Sequence, residues 1–257
     1  MEQPGFTPLQ PFDISDCTGI VNAYSTPQEA TPMLVRDWMT KNVITLGLKT
    51  TVVDAAEIMR TKKVRQFPVI DEQGRLTGIV SDRDIRDAMP SKYLPGDAAT
   101  GGSLDSLRAA DIMTPEPMTV SPTTPVDLVA SILMRHKFGG LPVVDEAGRL
   151  VGIITVADVF RFLCTASGVQ RGGPQIALRL EAKAGPLAAM LEFLRGEGVR
   201  FASVFTSHDH ADPGFRNAYV RIADLGEHSM DSLIATMKSR YTLLFFVEDG
   251  RTTLLEG

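Results

Sequence analysis

The chain is short of the side chains on which most catalytic chemistry depends. It has two cysteines and four histidines in 257 residues. Cys17 and Cys164 lie far apart and form no C-x-x-C pair. Neither a disulfide framework nor a thiolate metal site is expected, and a reducing cytoplasm is the simplest setting. No run approaches the roughly 18 apolar residues of a membrane span, and the first residues lack the basic-then-apolar order of a signal peptide. An excess of positive charge is missing as well. Twenty-six Lys and Arg stand against 31 Asp and Glu, for a net charge of −5. That balance speaks against nucleic-acid or anionic-membrane partners, but leaves room for a small anion held by a few local arginines. G-x-S-x-G, P-loop, H-E-x-x-H and G-x-G-x-x-G motifs are all absent, so no enzyme activity is expected.

What the chain does have is a duplication. FPVIDEQGRLTGIVSDRDI, Phe67 to Ile85, returns as LPVVDEAGRLVGIITVADV, Leu141 to Val159. The offset of 74 positions holds back to Asp37 and Asp111, where WMTKNVIT answers IMTPEPMT. Such a repeat reports an architecture of two copies packed on each other, with related clefts between them. Each copy reads as a short turn, an extended run (Val43 to Leu46; Met118 to Val120), a helix, a two-stranded hairpin and a final helix. The helices are placed at about Val52 to Lys63 and Val126 to Lys137 by their apolar spacing. Asp71 to Gly74 and Asp145 to Gly148 have hairpin-turn chemistry. The final helices open at Ser81 and Thr155.

The boundaries follow. Residues 1–32, with five prolines and little charge, read as a poorly ordered extension, and Met33 could serve as the natural start. Copy one is 33–89, a Gly/Pro/Ser-rich connecting loop is 90–106, and copy two is 107–170. From 174 to 250 the pattern changes to βαββαβ, with strands at 176–182, 199–206, 217–222 and 242–247 and helices opening at Leu187 and Met230.

These repeats resemble a tandem pair of cystathionine-β-synthase (CBS) domains, a Bateman module. The C-terminal part, with Gly185-Pro186-Leu187 at its first strand-to-helix turn, is similar to an ACT domain. The whole resembles the AcuB-type acetoin-utilisation proteins. The fold class expected is α+β: a tandem CBS pair of β-α-β-β-α repeats, then a ferredoxin-like βαββαβ ACT-type domain. The resemblance implies regulatory binding of AMP, ADP, ATP or S-adenosylmethionine, with no separate cofactor. It also implies a homodimer, and an amino acid or other second effector at the ACT-like domain.

The sharpest local motif is G-h-x-S/T-x-x-D, at Gly78 to Asp84 and Gly152 to Asp158. A hydroxyl at a strand-to-helix turn can donate to a phosphate, next to the free N–H groups of the helix start. A carboxylate three residues on can accept from a ribose hydroxyl. In the resembled family the residues matching Ser81, Asp84, Thr155 and Asp158 take these roles. The same spacing is also that of a capping box, which needs no ligand. Both readings stand at this point.

The copies differ where a ligand would sit. Arg65 and Gln66 precede Phe67 and Pro68, whereas Gly139 and Gly140 precede Leu141 and Pro142. Asp82 and Arg83 in the first copy face Val156 and Ala157 in the second. Arginine suits phosphate, so the cleft of Ser81, Arg83, Asp84 and Arg65 is expected to be the better phosphate site. By the resemblance, Thr45 and Thr119 lie where base and sugar are contacted. The binding set is therefore Thr45, Arg65, Gln66, Phe67, Pro68, Ser81, Arg83 and Asp84, with Thr119, Gly140, Leu141, Pro142, Thr155, Ala157 and Asp158. His208, Asp209, His210 and Asp212 fall in a predicted hairpin loop beside Pro213-Gly214, where turn chemistry suffices and no metal is expected. His136 and His228 read as isolated surface residues. Two rival readings remain: a dimerisation module with empty clefts, and an enzyme of acetoin-related metabolism.

Overall fold

Two β-hairpins, 74 positions apart in sequence, organise the first unit of the chain. The computed structural model describes residues 33–89, 106–209 and 211–255. The expectations for 1–32, for 90–105 and for His210 lie outside the described residues. The described residues up to Leu163 form one compact unit, and those from Cys164 onward belong to another.

In the first unit, helix α1 (Val35–Trp38) precedes strand β1 (Leu46–Gly47), helix α2 (Val52–Lys62), strands β2 (Gln66–Ile70) and β3 (Leu76–Ser81), and helix α3 (Asp82–Ala88). The second copy runs through α4 (Ala109–Ile112), β4 (Thr114–Pro115), α5 (Val126–His136), β5 (Gly140–Val144), β6 (Leu150–Thr155) and α6 (Val156–Ala166). Sequence logic is visible at each boundary. Thr51 Oγ1 accepts from the Asp54 N–H at 3.0 Å and caps α2. Helices α2 and α5 end on Lys63 and Lys137, both left-handed, at φ 54° and 56°.

Both hairpins close on an aspartate. Asp71 Oδ1 accepts from the N–H groups of Gln73 and Arg75, at 3.0 and 2.8 Å, while Oδ2 accepts from Arg75 Nε at 2.8 Å. Asp145 repeats this with Ala147 and Arg149. Arg75 and Arg149 bridge each other across the duplication, each neutralised by its own aspartate. The backbone bond from the arginine N–H is the main cause that holds each carboxyl below its ordinary pKa. A lowered folded pKa means stability that is fully present above the unfolded aspartate value and lost as pH falls through the folded one. A carboxyl-detected NMR titration should therefore place both midpoints below the ordinary aspartate range. A midpoint within that range at either residue would remove this contribution.

The copies do not fold as separate blocks. The start of each copy is exchanged onto the hairpin of the other. Strand β4, from the second copy, pairs with β3 of the first through Ile79 and Thr114; Thr40, from the first copy, bridges Ile153 of the second. The Val35 N–H donates to Thr124 O at 2.9 Å, and its counterpart Ala109 donates to Thr50 O at 2.8 Å. Two cores result. Val35 and Trp38 are buried with Val126, Val129, Leu133, Leu141 and Ile154. Ala109 is buried with Leu46, Val52, Phe67, Val80 and Ile85, and Ile112 packs against them. Glycine is required at the crossing points. A Cβ on Gly78 would stand 2.4 Å from Met113 Sδ, and one on Gly152 would stand 2.5 Å from Met39 Sδ. The sequence reading places each D-x-M-T turn with its own copy; the hydrogen bonds assign it to the other.

The C-terminal unit holds β7 (Gln175–Glu181), α7 (Pro186–Gly196), β8 (Arg200–His208), β9 (Phe215–Asp224), α8 (Met230–Lys238), β10 (Thr242–Glu248) and β11 (Arg251–Leu254). Its five strands form one antiparallel sheet in the order β11-β10-β7-β9-β8. Ile176, Leu178, Leu180, Ala218, Val220 and Ile222 alternate along β7 and β9 and are buried with Met190, Leu194, Leu233 and Met237 of the two helices. Gly185 takes φ +105° as the residue before α7, and a Cβ there would meet nothing within 4 Å. Its role is conformational, and Pro186 at the first helical position fits that entry. Strand β11 has no counterpart in the sequence reading, which ends this unit at residue 250.

Candidate functional site

In each copy, the strand that closes the hairpin runs straight into a helix. Strand pairing sets Gln66 opposite Ser81 and Gly140 opposite Thr155. The Asp82 N–H donates to Arg65 O at 2.9 Å, and the Val156 N–H to Gly139 O at 3.1 Å. Arg65, Gln66, Ser81, Arg83 and Asp84 are thus brought together at one junction, and Gly140, Thr155, Ala157 and Asp158 at the other. Thr45 and Thr119 sit one residue before Leu46 and Val120, which run parallel to β2 and β5. That register places Thr45 beside Pro68 and Thr119 beside Pro142.

The capping reading of Ser/Thr-x-x-Asp is fully realised. Ser81 donates to Asp84 Oδ2 twice, from its N–H at 2.7 Å and from Oγ at 2.6 Å. Its Oγ in turn accepts from the Asp84 N–H at 3.4 Å. Thr155 and Asp158 show the same three bonds at 2.8, 2.7 and 3.4 Å. The two motifs are the same local device. Helix α3 has seven residues, so any pull on an anion at this end comes mainly from side chains.

Their surroundings differ. Asp84 is partly exposed, and among the described residues its Oδ1 has no partner. Asp158 is 5% exposed, and its Oδ1 is bound by Arg161 Nη2 at 2.9 Å. Arg161 also donates to Trp38 O at 2.6 Å. The position matching Arg161 in the first copy is Asp87, so the first carboxylate has no such cation. Arg65 and Arg83 are exposed and form no ion pair among the described residues. Ala157 is exposed and offers only a methyl group.

Four of the expected residues are turned to packing. Phe67 and Leu141 are buried in the two cores, and Pro68 and Pro142 are buried beside them. Gln66 takes a place that sequence reading missed. Its side chain crosses from one copy to the other and lies on Gly140, where a Cβ would stand 2.0 Å from Gln66 Nε2. That Nε2 is buried without a hydrogen-bond partner.

Asp209, Asp212, His136 and His228 make structural contacts. Arg179 binds Asp209 and Asp212 at 2.9 and 3.1 Å, over the Phe215 ring at 4.1 Å. His228 is not isolated: Nε2 lies 3.1 Å from Glu197 Oε2 and Nδ1 lies 3.2 Å from Ser232 Oγ. His136 stacks on Phe138. Among the described residues no helix is long and apolar enough to cross a membrane.

The family model of the CBS domain matches residues 35–91 and 109–165. A CBS domain-containing protein of Dictyostelium discoideum is 35% identical over 134 residues, 51% of this chain and 91% of that protein. The chloroplastic CBS domain-containing protein CBSX2 of Arabidopsis thaliana is 33% identical over 160 residues, 54% of this chain and 67% of that protein. A crystal structure of CBSX2 in complex with AMP covers 52% of this chain and 98% of its own, at 34% identity and a TM-score of 0.44. AcuB from Vibrio cholerae is 31% identical, with 53% of this chain and 94% of that chain covered and a TM-score of 0.45.

Proposed function

The chain belongs to the CBS-domain family, and we propose that its CBS pair is a regulatory sensor of an adenosine-containing ligand. The observation that carries this reading is the Ser81–Asp84 junction. A partly exposed carboxylate keeps one oxygen unpartnered beside a hydroxyl, with two exposed arginines, one just before β2 and one in α3, at the same junction and without an ion pair among the described residues. Asp84 Oδ1 is suited to accept from a ribose hydroxyl, and Arg65 and Arg83 to hold a phosphate in fork geometry. Thr45 would reach the base and sugar, while Gln66, opposite Ser81 by its backbone, turns its side chain onto Gly140. Support also comes from the sequence relative CBSX2, which takes AMP. The ligand is AMP, ADP, ATP or S-adenosylmethionine, and no reaction is carried out on it.

The C-terminal unit is proposed as a ferredoxin-like, ACT-type domain that binds a second effector, such as an amino acid, or assembles the protein as a homodimer. Its βαββαβ order, with both helices packed on one face of the sheet, supports that reading. A ligand that binds one arrangement of the CBS pair better than another would shift the equilibrium, and the C-terminal unit would read the shift. The complete capping boxes favour a second reading, in which the junctions are purely structural and the pair only dimerises.

Thermal shift separates the two readings. AMP, ADP, ATP or S-adenosylmethionine at 100 times its Kd should stabilise the folded chain by about 2.7 kcal/mol. Ser81→Ala combined with Asp84→Ala should remove the shift while the variant still melts cooperatively. If none of the four ligands moves the transition at millimolar concentration, the sensor reading fails and the dimerisation module stands.

A further inference from the structure

We infer that the CBS pair holds one ligand and not two: the Ser81–Asp84 junction is the site, and the Thr155–Asp158 junction is a closed copy locked by Gln66 and Arg161. The inference rests on the adenosyl-sensor reading and names the occupancy and regulation of that site.

Two independent observations close the second junction. The first is electrostatic. Each capping carboxylate gives Oδ2 to its own hydroxyl and backbone N–H. A ribose diol then needs Oδ1. At Asp84 that oxygen has no partner among the described residues, whereas at Asp158 it is held by Arg161. Arg161 is itself fixed by the Trp38 carbonyl. A sugar hydroxyl at Asp158 would have to displace the Arg161 Nη2, which Asp158 Oδ1 and the Trp38 carbonyl hold together. The first copy has Asp87 at the matching position and carries no such lock.

The second observation is steric. The duplication sets positions 66 and 140 against each other, so a side chain on one must be matched by space on the other. Here the side chain is Gln66 and the space is Gly140. The amide fills the volume above Gly140, with the Thr155 methyl also 3.1 Å from where a Cβ would stand. The roof therefore lies over the second junction. The Gln66 Nε2 donor is buried there with no acceptor. An unsatisfied amide holds its place by shape alone, so its removal should open the junction without breaking a hydrogen bond.

The test is isothermal titration of the full chain with AMP, ATP and S-adenosylmethionine in turn. Wild type should bind one molecule per chain. Asp84→Asn and Asp158→Asn each weaken the same kind of cap, and urea unfolding of each variant without ligand measures its own cost in folding, so that loss of binding is separated from loss of fold. Asp84→Asn should weaken binding about 10- to 100-fold, the loss expected for bonds to a charged group, and Asp158→Asn should leave it within about twofold. Gln66→Gly with Arg161→Ala should raise the stoichiometry to two. Two molecules per wild-type chain would overturn the inference and leave the sensor reading standing. So would binding that depends on Asp158 and not on Asp84, or a double variant that still binds one. Absence of binding by all three probes would overturn the sensor reading, and this inference with it.

Discussion

Replacing Trp38 with alanine should cost about 3–5 kcal/mol, and the damage should appear in the copy to which Trp38 does not belong by sequence. Trp38 is 7% exposed and lies in the core built around Leu141, Val143 and Ile154. Its ring meets Phe162 edge to face, with centroids 5.3 Å apart at 79°. Four residues of α1 cannot form a stable helix alone, so this segment is held by tertiary burial. Urea unfolding gives the total loss. Amide exchange locates it: protection should fall in Gly140–Val144 and Leu150–Thr155 and persist in Gln66–Ile70. The reciprocal Ile112→Ala should loosen β2 and β3 instead. A loss below 1 kcal/mol, or exchange that rises first in β2 and β3, would contradict the exchanged arrangement. A CBS pair built this way cannot be divided at residue 90 into two folding halves, because each half would carry the other's missing wall.

Most of the scaffold was legible because it follows from local rules. Turn chemistry at Asp71 and Asp145, apolar spacing in α2 and α5, and alternation in β7 and β9 each bind neighbouring residues. The exchange was not legible, since a repeat offset aligns equivalent positions and says nothing of which copy they pack against. Two differences between the copies now acquire a meaning. Aligned by offset, Phe67 faces Leu141 and Trp38 faces Ile112, and each looks like an unrelated substitution. In the cores, the larger Phe67 shares its cluster with Ile112, and the smaller Leu141 shares its cluster with Trp38. A large residue is matched by a smaller partner across the exchange, so both cores fill. Gln66 and Gly140 obey the same rule where the two hairpins meet. The candidate site was legible to a similar degree. The Ser/Thr-x-x-Asp motifs were found from spacing, but spacing cannot distinguish the carboxylate with an unpartnered oxygen from the one tied to Arg161, because Arg161 reaches Asp158 and the crossed-over Trp38 together.

Removal of the two capping carboxylates should accordingly have unequal costs. Asp84→Ala loses a helix cap, about 0.5–2 kcal/mol. Asp158→Ala loses the same cap and also strands Arg161 and a nearly buried junction. A hydrogen bond to a charged group adds about 1.5–3 kcal/mol. That contribution is reduced here because the Arg161 side chain is 40% exposed and screened. The total for Asp158→Ala should be about 2–3 kcal/mol by urea unfolding without ligand at neutral pH. Asp158→Ala and Arg161→Ala should couple by about 1 kcal/mol in a double-mutant cycle, as expected of groups in contact. Asp87 lies at the position matching Arg161 and offers no cation, so Asp84→Ala with Asp87→Ala should be additive. The copy that resists mutation least would then be the one without a ligand role, and the tolerant copy the one that binds. Equal losses at the two aspartates would mean that Arg161 contributes nothing measurable, and closure of the second junction would rest on Gln66 alone.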